Sequence, residues 1–127
     1  MTVVLDGNGL SALAADRARL RQIPDRGGWP PIVPAVVLAE ALTGDRRRDF
    51  HENRLLKLCD IRAIDEALGR HAASLRTATA RRRISATDAI VVATADRPGG
   101  VVVLTSDPAD LRALAFHAVN PVRVERV

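Results

Sequence analysis

Val101-Val102-Val103-Leu104-Thr105-Ser106-Asp107-Pro108-Ala109-Asp110-Leu111 is the stretch on which the reading of the fold turns. Its apolar run from Val101 to Leu104 is unbroken by polar alternation, the pattern of a strand buried on both faces. Asp107 and Pro108 then open a helix that runs to about Ala115. The same grammar stands near the start of the chain. Val3-Val4-Leu5-Asp6 reads as a buried strand, Gly7-Asn8-Gly9 as a turn, and Leu10, Leu13, Ala14 and Arg17 recur at helical spacing. Ile32 and Val33 make a short second strand, and Pro34 leads into a helix over Ala35 to Thr43 that Gly44 stops. Strands alternating with helices predict an α/β fold, with a parallel sheet of four to five strands covered by helices on both faces. In such sheets the loops beyond the strands' carboxyl ends form the natural site. Asp6 and Asp107 both lie just past such ends.

The remaining chain fills in this frame. Arg21 to Pro31 holds Pro24, Gly27, Gly28, Trp29, Pro30 and Pro31, which predicts a surface loop with Trp29 plugging the edge of the core. A polar helix is expected over about Arg46 to Leu58, followed by a strand around Ile61 to Ile64. Asp65 caps a long helix whose stripe is Leu68, Ala72, Leu75 and Thr79. Ser85, with Asp88 three positions on, forms a capping-box pattern ahead of a helix to about Ala95. Gly99 and Gly100 end that unit, and Val122 to Val124 reads as a last strand. No repeat or low-complexity tract breaks the chain, so residues 1–127 read as one domain.

Composition narrows the function classes. The hydrophobic share is 47%, mostly Ala, Val and Leu, with two Phe, one Trp and no Tyr. The core must therefore be aliphatic, and aromatic platforms for stacking bases are not expected. The formal net charge is +4, carried almost wholly by arginine because Lys57 is the only lysine. The triplets Arg46-Arg47-Arg48 and Arg81-Arg82-Arg83 could grip a nucleic-acid backbone through their planar forks, although solvated helix faces produce such runs too. Cys59 stands alone, which excludes an internal disulfide, and nothing supports it as a nucleophile. With no apolar run of about 20 residues and no leader-like start, a cytoplasmic protein away from the membrane is expected.

The acids carry the chemistry, and each has an innocent explanation. Asp6 could cap the first helix, Asp107 the last, and Asp88 could be the second half of the Ser85 box, with Asp110 favoured by the helix dipole. Glu40 is harder to dismiss. Every other residue from Val36 to Leu42 is apolar, so both faces of its helix look buried, and no Lys or Arg stands at positions 36, 37, 43 or 44. An unpaired carboxylate there would need a cation or strong donors. Four clustered carboxylates would repel one another unless a divalent cation neutralised them, and oxygen-only ligation suits Mg²⁺ or Mn²⁺. His51, His71 and His117 show no metal-ligand spacing.

The strand ending in Asp6, Glu40 within Val36-Val37-Leu38-Ala39-Glu40-Ala41-Leu42, Asp88 within Ala86-Thr87-Asp88-Ala89-Ile90, and Leu104 to Leu111 together resemble the PIN domain nearly end to end. Within that family the chain looks most like VapC-type toxins of toxin–antitoxin pairs. The resemblance implies Mg²⁺-dependent RNA hydrolysis with Asp6, Glu40, Asp88 and Asp107 as the acidic cluster. Asp6 and Asp88 would be direct ligands, Glu40 and Asp107 would hold a bound water or second ion, and Thr105 and Asp110 would support them. It also implies an RNA substrate gripped by Arg46, Arg47, Arg81, Arg82 and Arg83, a cognate antitoxin covering the site, and a homodimer. One departure is Asn8, where the family usually has Ser or Thr two places after the first Asp.

Two rivals remain. Mg²⁺-binding phosphatases and receiver domains also place acids after strands, but the former want a second Asp where Asn8 stands, and both want a late lysine that is absent here. The other is a catalytically silent PIN-like module that binds RNA or protein. Such a binder would lose affinity with salt yet leave RNA intact when Mg²⁺ is added.

Overall fold

A computed structural model of the chain describes residues 1–25, 27–81 and 83–127. The strands are β1 (Thr2–Leu5), β2 (Ile32–Pro34), β3 (Asp60–Arg62), β4 (Val101–Thr105) and β5 (Val122–Arg126). The helices are α1 (Gly7–Ala15), α2 (Arg17–Asp25), α3 (Ala35–Ala41), α4 (Phe50–Leu56), α5 (Glu66–Ala78), α6 (Ala86–Ala95) and α7 (Ala109–Ala115). The strands form one sheet in the order β3-β2-β1-β4-β5, and every pairing is parallel. This is the expected α/β sheet, at the upper end of the expected strand number.

Right-handed crossovers explain the layering. The chain steps from β1 to β2 to β3 in one direction, then crosses to β4 and β5 in the other. Accordingly α1 packs with α2, α3 and α4, while α5, α6 and α7 pack with one another, and α1 and α6 both lie against β4. One helical group covers each face. The order of the strands reverses between β1 and β4, and the crevice beyond their carboxyl ends is where such sheets bind ligands.

The core is aliphatic throughout: Val4, Leu5, Leu10, Leu13, Val33, Val37, Val91, Val92, Val101, Val103, Leu111 and Leu114 are fully enclosed. All five residues of β4 are buried, as the unbroken apolar run requires. Asp65 and Ser85 cap α5 and α6 as expected, accepting from the backbone N–H groups of Leu68 and Asp88. No helix among the described residues is long and apolar enough to cross a membrane.

Four expectations are corrected. The segment from Arg21 begins not as a loop but as the second half of α2, which runs through Pro24. Pro24 sits in the last turn and has no N–H to give it, and the N–H groups of Gly27 and Gly28 close the end on the carbonyls of Pro24 and Ile23. Trp29 does not plug the core: it is 40% exposed, and Gly28 occupies that place against Val3 and Ile23. The polar helix begins only at Phe50, because residues 46–49 form a turn that Asp49 ties back to Thr43 and Gly44. Finally, α3 buries only Val37 and leaves Glu40 exposed, so its apolar letters do not mark two buried faces.

Candidate active site

Asp6 is the residue immediately after β1, and its backbone conformation is extended, which lets it act as the N-cap of α1. Its Oδ1 accepts from the Gly9 N–H at 2.6 Å, and its Oδ2 accepts from the Thr105 hydroxyl at 2.6 Å. Thr105 is the last residue of β4, wholly buried, and its Oγ1 in turn accepts from the Asp107 N–H at 3.1 Å. The two strands at the switch point are thus joined through the very carboxylate that faces the crevice. Gly9 makes this possible. A Cβ there would lie 2.0 Å from the Leu104 carbonyl oxygen, so only glycine lets α1 start this close to β4.

Asp88 arrives from the opposite helical layer, in the first turn of α6. Glu40 comes from α3 and Asn8 from α1. Together with Asp6, Gly7, Ser11, Ala41 and Thr87 they line a cleft of about 240 Å³. No basic side chain lines it among the described residues. Ser11 and Thr87 were not singled out from the sequence; Ser11 stands one helical turn after Gly7 and Thr87 beside Asp88, but neutral hydroxyls carry no signal of their own.

The electrostatics follow from this packing. Burial raises the Asp6 carboxyl above its ordinary value, opposed by the Thr105 and Gly9 hydrogen bonds and reinforced by the charges of Asp107 and Glu40. Burial likewise raises Asp88, to about 6, with Asp6, Asp110 and Glu40 adding repulsion and the Ser85 hydroxyl opposing it. The acids therefore feel one another across the cleft, and the protein supplies no countercharge inside it.

The other predicted residues lie around this centre. Asp107 is exposed and outside the cleft lining; it does not cap α7, which begins after Pro108 without a side-chain cap, but its charge reaches Asp6. Asp110 pairs with Arg81 at 2.9 Å outside the cleft lining, and its charge reaches Asp88. Arg46, Arg47 and Arg83 are exposed, and Arg82 lies outside the described residues. Cys59 is no nucleophile in this setting, because burial pushes its thiol up to about 11.

The donor set is oxygen alone, which suits a hard divalent cation. Among the described residues no three acid, His or Cys side chains stand close enough to form a ready-made metal cage. An ion that keeps several waters and uses one or two carboxylates, as Mg²⁺ does, fits such open spacing better than zinc, which takes four protein ligands in structural sites.

Comparison with known proteins places the fold. The family model described as the PIN domain matches residues 3–117. No curated protein matches the chain. Among solved structures, a toxin-antitoxin complex from Klebsiella pneumoniae contains a chain of similar fold at 21% identity, with 95% of each chain covered and a TM-score of 0.67. DNA-bound VapBC from Salmonella typhimurium is similar at 17% identity, covering 99% of this chain and 98% of that one, with a TM-score of 0.65. VapBC2 from Rickettsia felis, bound to a DNA fragment from their promoter, is similar at 14% identity over 100% and 99%, with a TM-score of 0.71.

Proposed function

The chain belongs to the PIN-domain family, and on that premise we propose that it is a Mg²⁺-dependent endoribonuclease acting as the toxin of a toxin–antitoxin pair. The observation that carries this reading is the cleft where Asp6, just after β1, and Asp88, in the first turn of α6, are both raised by burial and by neighbouring acids, with no basic side chain in the lining among the described residues. Such a cleft is built for a cation that arrives from solution.

Asp6 and Asp88 would hold the ion, with Glu40 at the cleft rim and Asp107 beyond it acting through water or on a second ion. When bound, the ion would make a coordinated water acidic enough to serve as nucleophile near neutral pH and would stabilise charge on the phosphoryl oxygens. The chain's own part is positional. Thr105 and Gly9 each occupy one lone pair of Asp6, which fixes the carboxylate plane and leaves its remaining lone pairs for the cleft. Asn8, Ser11 and Thr87 offer neutral donors to a phosphate that the acids would otherwise repel. Arg46, Arg47 and Arg83 supply attraction for RNA from outside the cleft, and the Arg81–Asp110 pair borders it.

That chains of similar fold occur in toxin–antitoxin complexes supports an antitoxin partner for this one. We assign the protein to the cytoplasm, as a homodimer of single-domain chains held silent by that partner. The test is cleavage of a mixed RNA pool by the purified chain with Mg²⁺, with chelator, and as Asp88→Asn. Cutting that requires both the ion and Asp88 is the expected result; RNA left intact under all three conditions contradicts the nuclease reading and favours a silent binder.

A further inference from the structure

The chain has three aromatic residues, and none is in the core: Trp29, Phe50 and Phe116 are 40%, 53% and 84% exposed. A singly exposed ring needs no explanation, but a ring set in a groove among unpaired basic side chains has the makings of a binding surface. Phe50 is the ring with a built setting. It opens α4, the Arg54 guanidinium stands 5.8 Å from its centroid, and the His51 ring meets it edge-on. Phe50 lies in a groove of about 650 Å³ whose apolar lining also includes Leu38, Leu56 and Ile61 and whose basic side chains are Arg46, Arg54 and Lys57. No acid lines this groove, and none of the three cations forms a salt bridge among the described residues.

The turn that presents Arg46 is fixed rather than loose. Asp49 is buried, and its carboxylate accepts from the Thr43 N–H, the Thr43 hydroxyl and the Gly44 N–H. Asp45 accepts from the Arg47 and Arg48 N–H groups. The groove also adjoins the acid cleft. Helix α3 is the wall between them, giving Leu38 to the groove and Glu40 and Ala41 to the cleft. A helix with its side chains is roughly 10–12 Å across, so a strand lying in the groove reaches the cleft within a few nucleotides.

We infer that this groove is a single-stranded RNA subsite, in which a base stacks on Phe50 while flanking phosphates pair with Arg46, Arg54 and Lys57. The inference rests on the ribonuclease reading and adds to it where the substrate lies. It runs against the compositional expectation that the chain offers no stacking platform, and the experiment decides between them. Charge favours RNA over a second copy of the chain, because a symmetric contact across this groove would set its cations against their own images with no acid to relieve them. An unpaired strand is required, since bases inside a duplex are already stacked on their neighbours.

The experiment uses the full chain carrying Asp88→Asn, so that RNA stays intact, and a fluorescein-labelled single strand titrated in the presence of Mg²⁺. Phe50→Ala should weaken binding about five- to a hundredfold without altering the melting temperature, since the ring is exposed. Phe50→Trp should restore binding, and its emission, taken as the difference from the parent containing Trp29 alone, should be quenched by the single strand but not by a duplex of the same sequence. Arg54→Ala and Lys57→Ala should each flatten the salt dependence. The inference is overturned if Phe50→Ala and Arg54→Ala bind RNA like the parent and the new tryptophan is not quenched. It is equally overturned if Phe50→Ala disrupts self-association or capture of a protein partner while RNA binding stands. Failure of the nuclease reading is separate, because it shows as uncut RNA with Asp88 present and Mg²⁺ supplied, whatever stands at position 50.

Discussion

Helix α6 carries an acid near each end, and the two have opposite fates. Asp88 in its first turn faces the cleft, whereas Asp96 closes its other end, roughly 12 Å away along the axis, with a side chain only 1% exposed. Burial pushes both carboxyls up. At Asp96 that push is outweighed by hydrogen bonds from the Val119 and Asn120 N–H groups, the His71 ring and the Asn120 amide, so its carboxyl ends below the ordinary value. At Asp88 it is reinforced by Asp6, Asp110 and Glu40, and the carboxyl ends at about 6. Asp49 belongs with Asp96, lowered first by the Thr43 N–H. The lesson is that burial alone does not set which way a carboxyl shifts; the number of donors brought to it does.

This contrast can be broken most sharply at the cleft. Asp88→Asn should reduce RNA cleavage at least about a hundredfold, measured in single turnover, without loss of fold stability. Asp96→Asn should do the reverse: urea unfolding should show a loss of about 2–3 kcal/mol, because an amide turned toward several donors leaves them unsatisfied, while the folded fraction cleaves normally. Equal effects from both substitutions would erase the distinction.

Smaller changes sharpen it. Thr105→Val removes the hydroxyl joining Asp6 to the Asp107 N–H; it should cost about 1–2 kcal/mol in stability and weaken Mg²⁺ binding, read by calorimetric titration. The pH response should differ in sign between the two ends. Asp88 has a folded value raised from 3.8 to about 6, so the stability it contributes to the metal-free chain is full below the unfolded value and is lost as pH rises through about 6. Asp96 has a lowered value, so its contribution is full above 3.8 and is lost as pH falls below that. Chelated protein should therefore show a smaller Asp96→Asn penalty at pH 3 than at pH 7, and Asp88→Asn should stabilise it at pH 7 but not at pH 4.

Much of this was legible in the sequence. The runs ending in Asp6 and Thr105 fixed the two central strands because an unbroken aliphatic stretch followed by turn residues has few other solutions, and Asp65 and Ser85 marked two helix starts by capping chemistry alone. What escaped depended on distant partners. Nothing beside Asp96 announces the Val119 and Asn120 N–H groups, and nothing beside Asp49 shows that the chain folds back on Thr43. Glu40 misled because alanines count as apolar wherever they sit, and α3 buries only Val37. That all three aromatic side chains lie outside the core is likewise visible only in the fold.

The central claim is that Asp6 and Asp88 are held apart from any countercharge so that a divalent cation can take its place, and thermal unfolding with and without Mg²⁺ tests it most directly. In chelator, Asp88→Asn should melt above the parent by about 3–6 °C, and added Mg²⁺ should raise the parent but not the variant. A parent indifferent to Mg²⁺, with Asp88→Asn melting below it, would make Asp88 a structural acid like Asp96 and contradict the account.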